Sequence, residues 1–364
     1  MKRPVLLTFA VIFTVAALAV LGVLVMSLSG RIDMGGFFKS GFKNATSGEL
    51  IKEETFDASA LTDLNISTRD QRIEFILTNE DFITVRQYDN IRAEPFSATQ
   101  TADSLSIELM LNVQIAILDT VIPRLEIYVP RTYAGDVSAT STSGGIACED
   151  AITWNAVQLN SKSGSIRFEQ SINCDTLRAT STSGSVRLGE LAVGGGMQLA
   201  SSSGSIRVDG NIRCDALAAE ASSGAISLGD VSIAGNAALT TKSGSIRVGA
   251  LTAQSYTISA SSGSVKIASL TGKGTATTGS GSISCDALNV TGDTHFQASS
   301  GAVRVTMGDV KNLNFEITSG SGSHRTGGYN FMYDKTGKKG SCTIGDGSTG
   351  TLSIKTSSGS IVIN

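Results

Sequence analysis

The sequence predicts an all-β chain: a parallel β-solenoid of about 20-residue coils, preceded by a β-strand capping region and one N-terminal transmembrane helix. Three observations carry this. A serine-glycine step recurs with Gly144, Gly164, Gly184, Gly204, Gly224 and Gly244 each 20 residues apart, then drifts through Gly263, Gly281, Gly301 and Gly322 and returns at Gly359. Apolar residues fall in columns when the repeats are aligned on that glycine. Finally, the chain holds 40 Gly but only four Pro, with few aromatics, and its glycine has no three-residue period, which excludes collagen.

The columns define the strands. Two residues after the glycine stand Ile166, Val186, Ile206, Ile226, Ile246, Val265, Ile283 and Val303. Four after it stand Phe168, Leu188, Val208, Leu228, Val248, Ile267, Cys285 and Val305, and five before it stand Leu159, Ala179, Leu199, Ala219, Leu239, Ile258, Ala276, Phe296 and Ile317. Apolar residues alternating with polar ones on both sides of the glycine mean strand, with every second side chain turned inward. Three before the glycine only small residues occur, among them Ser161, Ser181, Ser201, Ala221 and Thr241, which predicts a close approach of two walls. The glycine itself is expected to supply the bend through its conformational freedom. About ten such coils, each rising about 4.8 Å, make the stack. The number of strands per coil does not follow from the pattern.

At the N-terminus, Met1-Lys2-Arg3 precedes an uncharged run from Pro4 to Gly30, long enough to cross a bilayer as a helix. A cleaved signal peptide is the competing reading, and Ala17-Leu18-Ala19 has the small-x-small form, but Val20 to Met26 continue the apolar run through it. We therefore expect a single-pass protein of the cell membrane, its N-terminus cytoplasmic behind Lys2 and Arg3 and its ectodomain extracellular. Residues 31–50 read as a juxtamembrane linker, residues 51–139 as a β-rich capping region, and residues 140–364 as the solenoid. In the capping region Arg72-Ile-Glu-Phe-Ile-Leu, Phe82-Ile-Thr-Val-Arg and Leu125-Glu-Ile-Tyr-Val alternate or run apolar without the Ser-Gly step. A cap is needed because an open solenoid end exposes unpaired backbone. Residues 323–350 break the period and read as an irregular loop, after which Leu352-Ser-Ile-Lys and Ile361-Val-Ile-Asn close the stack.

Three stretches resemble the bacterial putative-adhesin family, an envelope-associated β-strand-repeat domain of unknown function. They are Phe56-Asp-Ala-Ser-Ala-Leu-Thr-Asp-Leu-Asn-Ile followed by Asp81-Phe-Ile-Thr-Val, Leu125-Glu-Ile-Tyr-Val-Pro-Arg-Thr-Tyr leading into Thr142-Ser-Gly-Gly-Ile, and Leu352-Ser-Ile-Lys-Thr-Ser-Ser-Gly-Ser-Ile-Val-Ile. The resemblance spans roughly residues 50–364. It implies an extracytoplasmic β-solenoid on a single-span anchor, of a kind associated with envelope-stress signalling in Gram-positive bacteria, and it brings no catalytic motif.

The inventory for chemistry is poor. The two histidines, His295 and His324, have no metal-ligating neighbour at a suitable spacing, and the many serines have no positioned base to single one out. The calcium-binding Gly-Gly-x-Gly-x-Asp repeat is absent, so we expect neither metal nor cofactor. Of the five cysteines, Cys174 and Cys214 are equivalent positions two coils apart, about 9.6 Å, beyond the span of a disulfide. Cys148 and Cys285 sit in an inward column, Cys342 lies alone, and all five are expected as free thiols.

One outward column is a candidate site. Between the two inward positions after the glycine stand Arg167, Arg187, Arg207, Ser227, Arg247, Lys266, Ser284 and Arg304. The cations Arg167, Arg187, Arg207, Arg247, Lys266 and Arg304 form a basic stripe that would bind polyanions such as teichoic acids or anionic headgroups. The competing reading is a solvated face whose charges discourage sheet-to-sheet association. Residues 140–364 hold 17 Lys/Arg against 15 Asp/Glu, so the stripe is local. Nucleic acid is not expected, because the chain is slightly acidic and lacks aromatic platforms for bases. Stacking on sugars is equally unsupported, with Trp154 the one tryptophan.

The reading that results is a non-enzymatic surface protein for adhesion, scaffolding or cell-envelope stress sensing. Its partners would be the membrane through the N-terminal helix and a cell-wall polyanion or an envelope protein. The alternative is a polyanion-binding or polysaccharide-processing solenoid, which as an enzyme requires carboxylates clustered on one outward face.

Overall fold

The computed structural model describes residues 48–89, 93–109 and 122–364. The strands of the solenoid belong to one compact unit of the described residues, which excludes Ile122. The expected transmembrane helix and most of the linker lie outside the described residues; among those described, no helix is long and apolar enough to cross a membrane.

Each regular coil carries three strands, so the stack has three walls. The long wall is made of six-residue strands ending just before the Ser-Gly corner, such as Ala156–Ser161, Thr176–Ser181 and Gly196–Ser201. The short wall follows the glycine with Ile166–Phe168, Val186–Leu188 and Ile206–Val208. The third holds Ile172–Cys174, Leu191–Val193 and Ile212–Cys214. All three walls pair parallel, each column in register with the next, as in Leu159↔Ala179 and Ala179↔Leu199. From Ile246 onward the corners between walls tighten and the strands of a coil join into Ile246–Ala260, Val265–Thr278 and Ile283–Ala298. Gly272 and Gly274, at φ +146° and +150°, sit at a register shift there, and a Cβ on Gly274 would overlap the carbonyl oxygen of Tyr256.

The inward columns form one continuous core. Ile166, Ile206, Leu199, Ile246 and Phe296 are fully buried, and burying each such side chain is worth about 1.5–3 kcal/mol. The five cysteines are free; Cys148, Cys174, Cys214 and Cys285 are buried, and loss of solvation pushes the Cys174 thiol up to about 12.

The corner departs from the sequence-based expectation in its glycines. The repeating glycines are not at positive φ. They are required by close approach: a Cβ on Gly184 would overlap the carbonyl of Gly164 in the adjoining coil, and the same holds for Gly204 over Gly184. The small column, besides its alanines, carries buried hydroxyls that bond across the corner: Ser161 donates to the Gly144 carbonyl, Ser181 to Gly164 and Ser201 to Gly184, each at 3.0 Å.

Both ends of the stack are rearranged. Asp63–Thr68 pairs parallel with Ser104–Leu109 on one side and Asp136–Ser141 on the other, so the parallel ladders begin inside the region that lacks the Ser-Gly step. Antiparallel strands then cover that end: Ser97–Gln100 on Ser104–Leu109, Phe82–Asp89 on Arg124–Pro130, and Glu49–Asp57 on Phe82–Asp89. Arg86 binds Glu53 at 3.1 Å and lies 4.7 Å over the Tyr128 ring, which ties these strands together.

At the other end, Thr351–Thr356 does not close the stack. It is inserted between Ile283–Ala298 and Leu313–Ser319, and Ile361–Ile363 likewise lies between Val303–Met307 and His324–Arg325. Nor is 323–350 wholly irregular: Lys339–Ile344 pairs antiparallel with Leu313–Ser319, and Met332–Tyr333 pairs antiparallel with it in turn. Antiparallel strands thus terminate the parallel ladder where an open edge would invite association.

Candidate functional site

Strand alternation on the short wall fixes the candidate stripe. Ile166 and Phe168 point inward and Arg167 between them points out, and parallel pairing repeats this in each coil. The register runs Arg167↔Arg187↔Arg207↔Ser227↔Arg247↔Lys266↔Ser284↔Arg304 without a slip. Beyond Arg304 the column continues through Val362 to Arg325. In the opposite direction it passes Ala147 and turns acidic at Glu74 and Glu126. All six cations singled out in the sequence therefore stand in one line on one wall, at the rung spacing of about 4.8 Å.

Their charge balance is uneven. Arg187 Nε lies 3.0 Å from Asp209 Oδ2, and Arg207 binds the other oxygen of the same carboxylate. The Arg207 hydrogen bond, with Arg187 beside it, holds the Asp209 carboxyl below its ordinary range. Arg167 reaches Glu169 at 3.8 Å. These three arginine side chains remain about half exposed, at 55%, 52% and 59%. Among the described residues, Arg247, Lys266 and Arg304 make no ion pair. The flanking column explains the difference: it holds Glu169 and Asp209 beside the first three cations but Gly249 and Ala268 beside Arg247 and Lys266. The sequence carried this signal, because Arg167/Glu169 and Arg207/Asp209 are spaced two apart and so share a strand face.

The other candidates resolve as structure. His295 stands exposed within Ile283–Ala298, in register with Thr275 and Ser353. His324 Nε2 lies 2.7 Å from Ser319 Oγ and its ring stacks on Tyr333 at 5.5 Å. Burial, and then Lys338, holds this imidazole below its ordinary value. Ser319 is buried and donates to the Gly322 carbonyl, so the pair extends the corner hydroxyl bonds to the last coil. Trp154 is buried edge-on against Phe75, centroids 5.3 Å apart, and offers no face to a sugar. No group of three metal-ligating side chains occurs among the described residues. The long wall carries a wide-open trough of about 550 Å³ lined by small side chains, including Ala156, Gly196, Ala218 and Ala238, together with Arg178 and Gln198.

Comparison with known proteins gives a family match over most of the chain. The family model described as Toastrack DUF4097 matches residues 61–248 and 196–364. No curated protein matches. Among solved structures, a putative cell adhesion protein from Clostridium sporogenes aligns at 12% identity over 86% of this chain and 99% of its own, with a TM-score of 0.22. A putative adhesin from Bacteroides fragilis aligns at 14% identity over 87% of this chain and 98% of its own, with a TM-score of 0.35. At those scores neither structure carries an argument about function.

Proposed function

This chain belongs to the Toastrack DUF4097 family, and we propose that it is a non-enzymatic surface protein, held in the cell membrane by residues 1–30 with the solenoid outside. Its role is to present a long rigid face for adhesion, scaffolding or envelope-stress sensing. The observation that supports this best is the parallel register of the long wall from Asp136–Ser141 to Ile283–Ala298, which repeats the same outward positions coil after coil, the register shifts at Thr252/Ser255 and Gly272/Gly274 falling ahead of the long-wall segments. A surface of that kind suits extended partners rather than one small substrate. In the column flanking the cations, Glu169 and Asp209 are engaged by arginines and Asp286 stands apart from them, which is unlike the paired free acid and base of a polysaccharide hydrolase.

Fractionation of expressing cells, followed by protease treatment of intact cells, tests the reading. The full chain should sediment with membranes and be cleaved from outside. A chain recovered in the soluble fraction, or protected in intact cells, overturns it. Release of reducing sugar from wall polysaccharide by the purified chain would establish the enzymatic alternative instead.

A further inference from the structure

The outward basic column has two halves of different character. In the first, Glu169 serves Arg167, and Arg187 and Arg207 share Asp209. In the second, Arg247 and Lys266 stack on adjacent rungs with no carboxylate paired to either, and Arg304 follows one rung beyond Ser284. Two acids lie nearby, Asp286 in the flanking column beside Ser284 and Asp230, whose Oδ1 sits against Gly249 and accepts from the Ala250 amide at 2.8 Å, yet neither forms an ion pair with Arg247, Lys266 or Arg304 among the described residues. Lys242, on the corner leading into Arg247, adds a further positive charge to the same coil.

Stacked like charges raise each other's energy, and an anion laid across them relieves it. The face is open, so one small anion would be held weakly. Many weak contacts along a line would add. We propose that Arg247, Lys266 and Arg304 form the seat of a linear phosphate-rich polymer lying along the stack, and that Arg167, Arg187 and Arg207 are internally compensated and contribute little. The straightness of the column is imposed by the parallel register, so the cations present a linear track rather than a patch. Guanidinium forks suit phosphate oxygens, and the short Ser284 stands between Lys266 and Arg304 in the register. The inference rests on the surface reading only for which polymer the track meets in the cell; binding by the purified chain does not depend on where the protein resides.

The test uses the full chain in a non-ionic detergent, with fluorescent long-chain inorganic polyphosphate as probe across a salt series. Arg247→Ser/Lys266→Ser/Arg304→Ser should weaken binding at least about tenfold, and Arg167→Ser/Arg187→Ser/Arg207→Ser less than about threefold. Both variants should melt near the wild type, because Ser227 and Ser284 already show serine accommodated in this column. Equal losses from the two halves, or no binding by the wild type, overturn the proposal. Orthophosphate competing as well as the polymer at equal phosphate concentration would reveal a single-anion site and also overturn it. Binding to soluble short-chain phosphatidylglycerol but not to polyphosphate would assign a lipid headgroup in place of a polymer.

Discussion

The hydroxyl of Ser181 donates to the carbonyl oxygen of Gly164 in the neighbouring coil at 3.0 Å and accepts from the amide of Gly184 in its own coil at 2.9 Å. One buried oxygen therefore serves two coils and fixes both ends of the Ser-Gly corner. Thr241 does the same between Gly224 and Gly244, and Thr278 between Gly263 and Gly281. Ser181→Ala should lower stability by about 1–3 kcal/mol, since it leaves the Gly164 carbonyl and the buried Gly184 amide without this partner. Ala221 occupies the equivalent buried position without a hydroxyl, so Ala221→Ser should instead raise stability by about 0.5–1.5 kcal/mol. Urea denaturation midpoints of the two variants decide it; a shift of the same sign in both would show that the column is chosen for size alone.

Close backbone approach, not backbone freedom, makes the corner glycines obligatory. Gly184→Ala places a methyl on the Gly164 carbonyl, backbone that cannot give way, and should cost about 3 kcal/mol or more and much of the soluble yield. Gly196, at the exposed start of a long-wall strand, has nothing within reach of an added Cβ. Gly196→Ala should be neutral or stabilising by up to about 1 kcal/mol. Thermal melts of the pair give the comparison, and equal losses would contradict it.

The parts of this architecture that the sequence made legible are those that repeat strictly. Ile166, Val186 and Ile206 recur at one offset from the glycine, so the short wall and its outward arginines could be read directly. The third wall was blurred because its corner varies by one residue: Ile172 follows Gly164 by eight positions and Leu191 follows Gly184 by seven. The order of coils at the ends was not legible at all. Leu352 and Ile354 fit the inward column equally well against Phe296 or as a final coil, and periodicity does not say which rung lies next. Pairing of Arg187 with Asp209 on the following coil was hidden for the same reason, although Arg207 and Asp209 share a face within one strand.

If the second half of the basic column binds polyphosphate because its cations are paired with no carboxylate, removing the paired carboxylate from the first half should create binding there. Asp209→Asn frees Arg187 and Arg207, and should strengthen polyphosphate binding about two- to fivefold at low salt, with the gain vanishing as salt screens it. Stability should fall by less than about 1 kcal/mol, because these are exposed pairs. Unchanged affinity would show that Asp209 does not suppress the first half.

His324 makes the last coil sensitive to mild acid. Its folded imidazole is held below the ordinary value of 6.5 by burial and by Lys338. The unfolded chain therefore takes up a proton more readily than the folded one, and the contribution of this site is present above pH 6.5 and lost as pH falls toward the lowered value. The melting temperature of the wild type should drop across that window, and His324→Gln should flatten the drop. An equal pH dependence in both proteins would assign the effect elsewhere.

The inserted position of Thr351–Thr356 has a consequence for local stability. A strand that closed a solenoid would pair on one side and exchange its amides early, whereas this one pairs with Ile283–Ala298 on one side and Leu313–Ser319 on the other. Leu352 and Ile354 are fully buried, Leu352 between Thr294 and Phe315 and Ile354 between Phe296 and Ile317. Hydrogen exchange of Thr351–Thr356 should therefore be as slow as that of the interior strands, and slower than that of Met332–Tyr333 on the outer edge. Ile354→Ala should cost about 2–5 kcal/mol, and because it loosens the rung between two others, it should speed exchange in Leu313–Ser319 while leaving Ala156–Ser161 unchanged. Fast exchange in Thr351–Thr356 of the wild type would place that strand at the end of the stack, and would reject the inserted order.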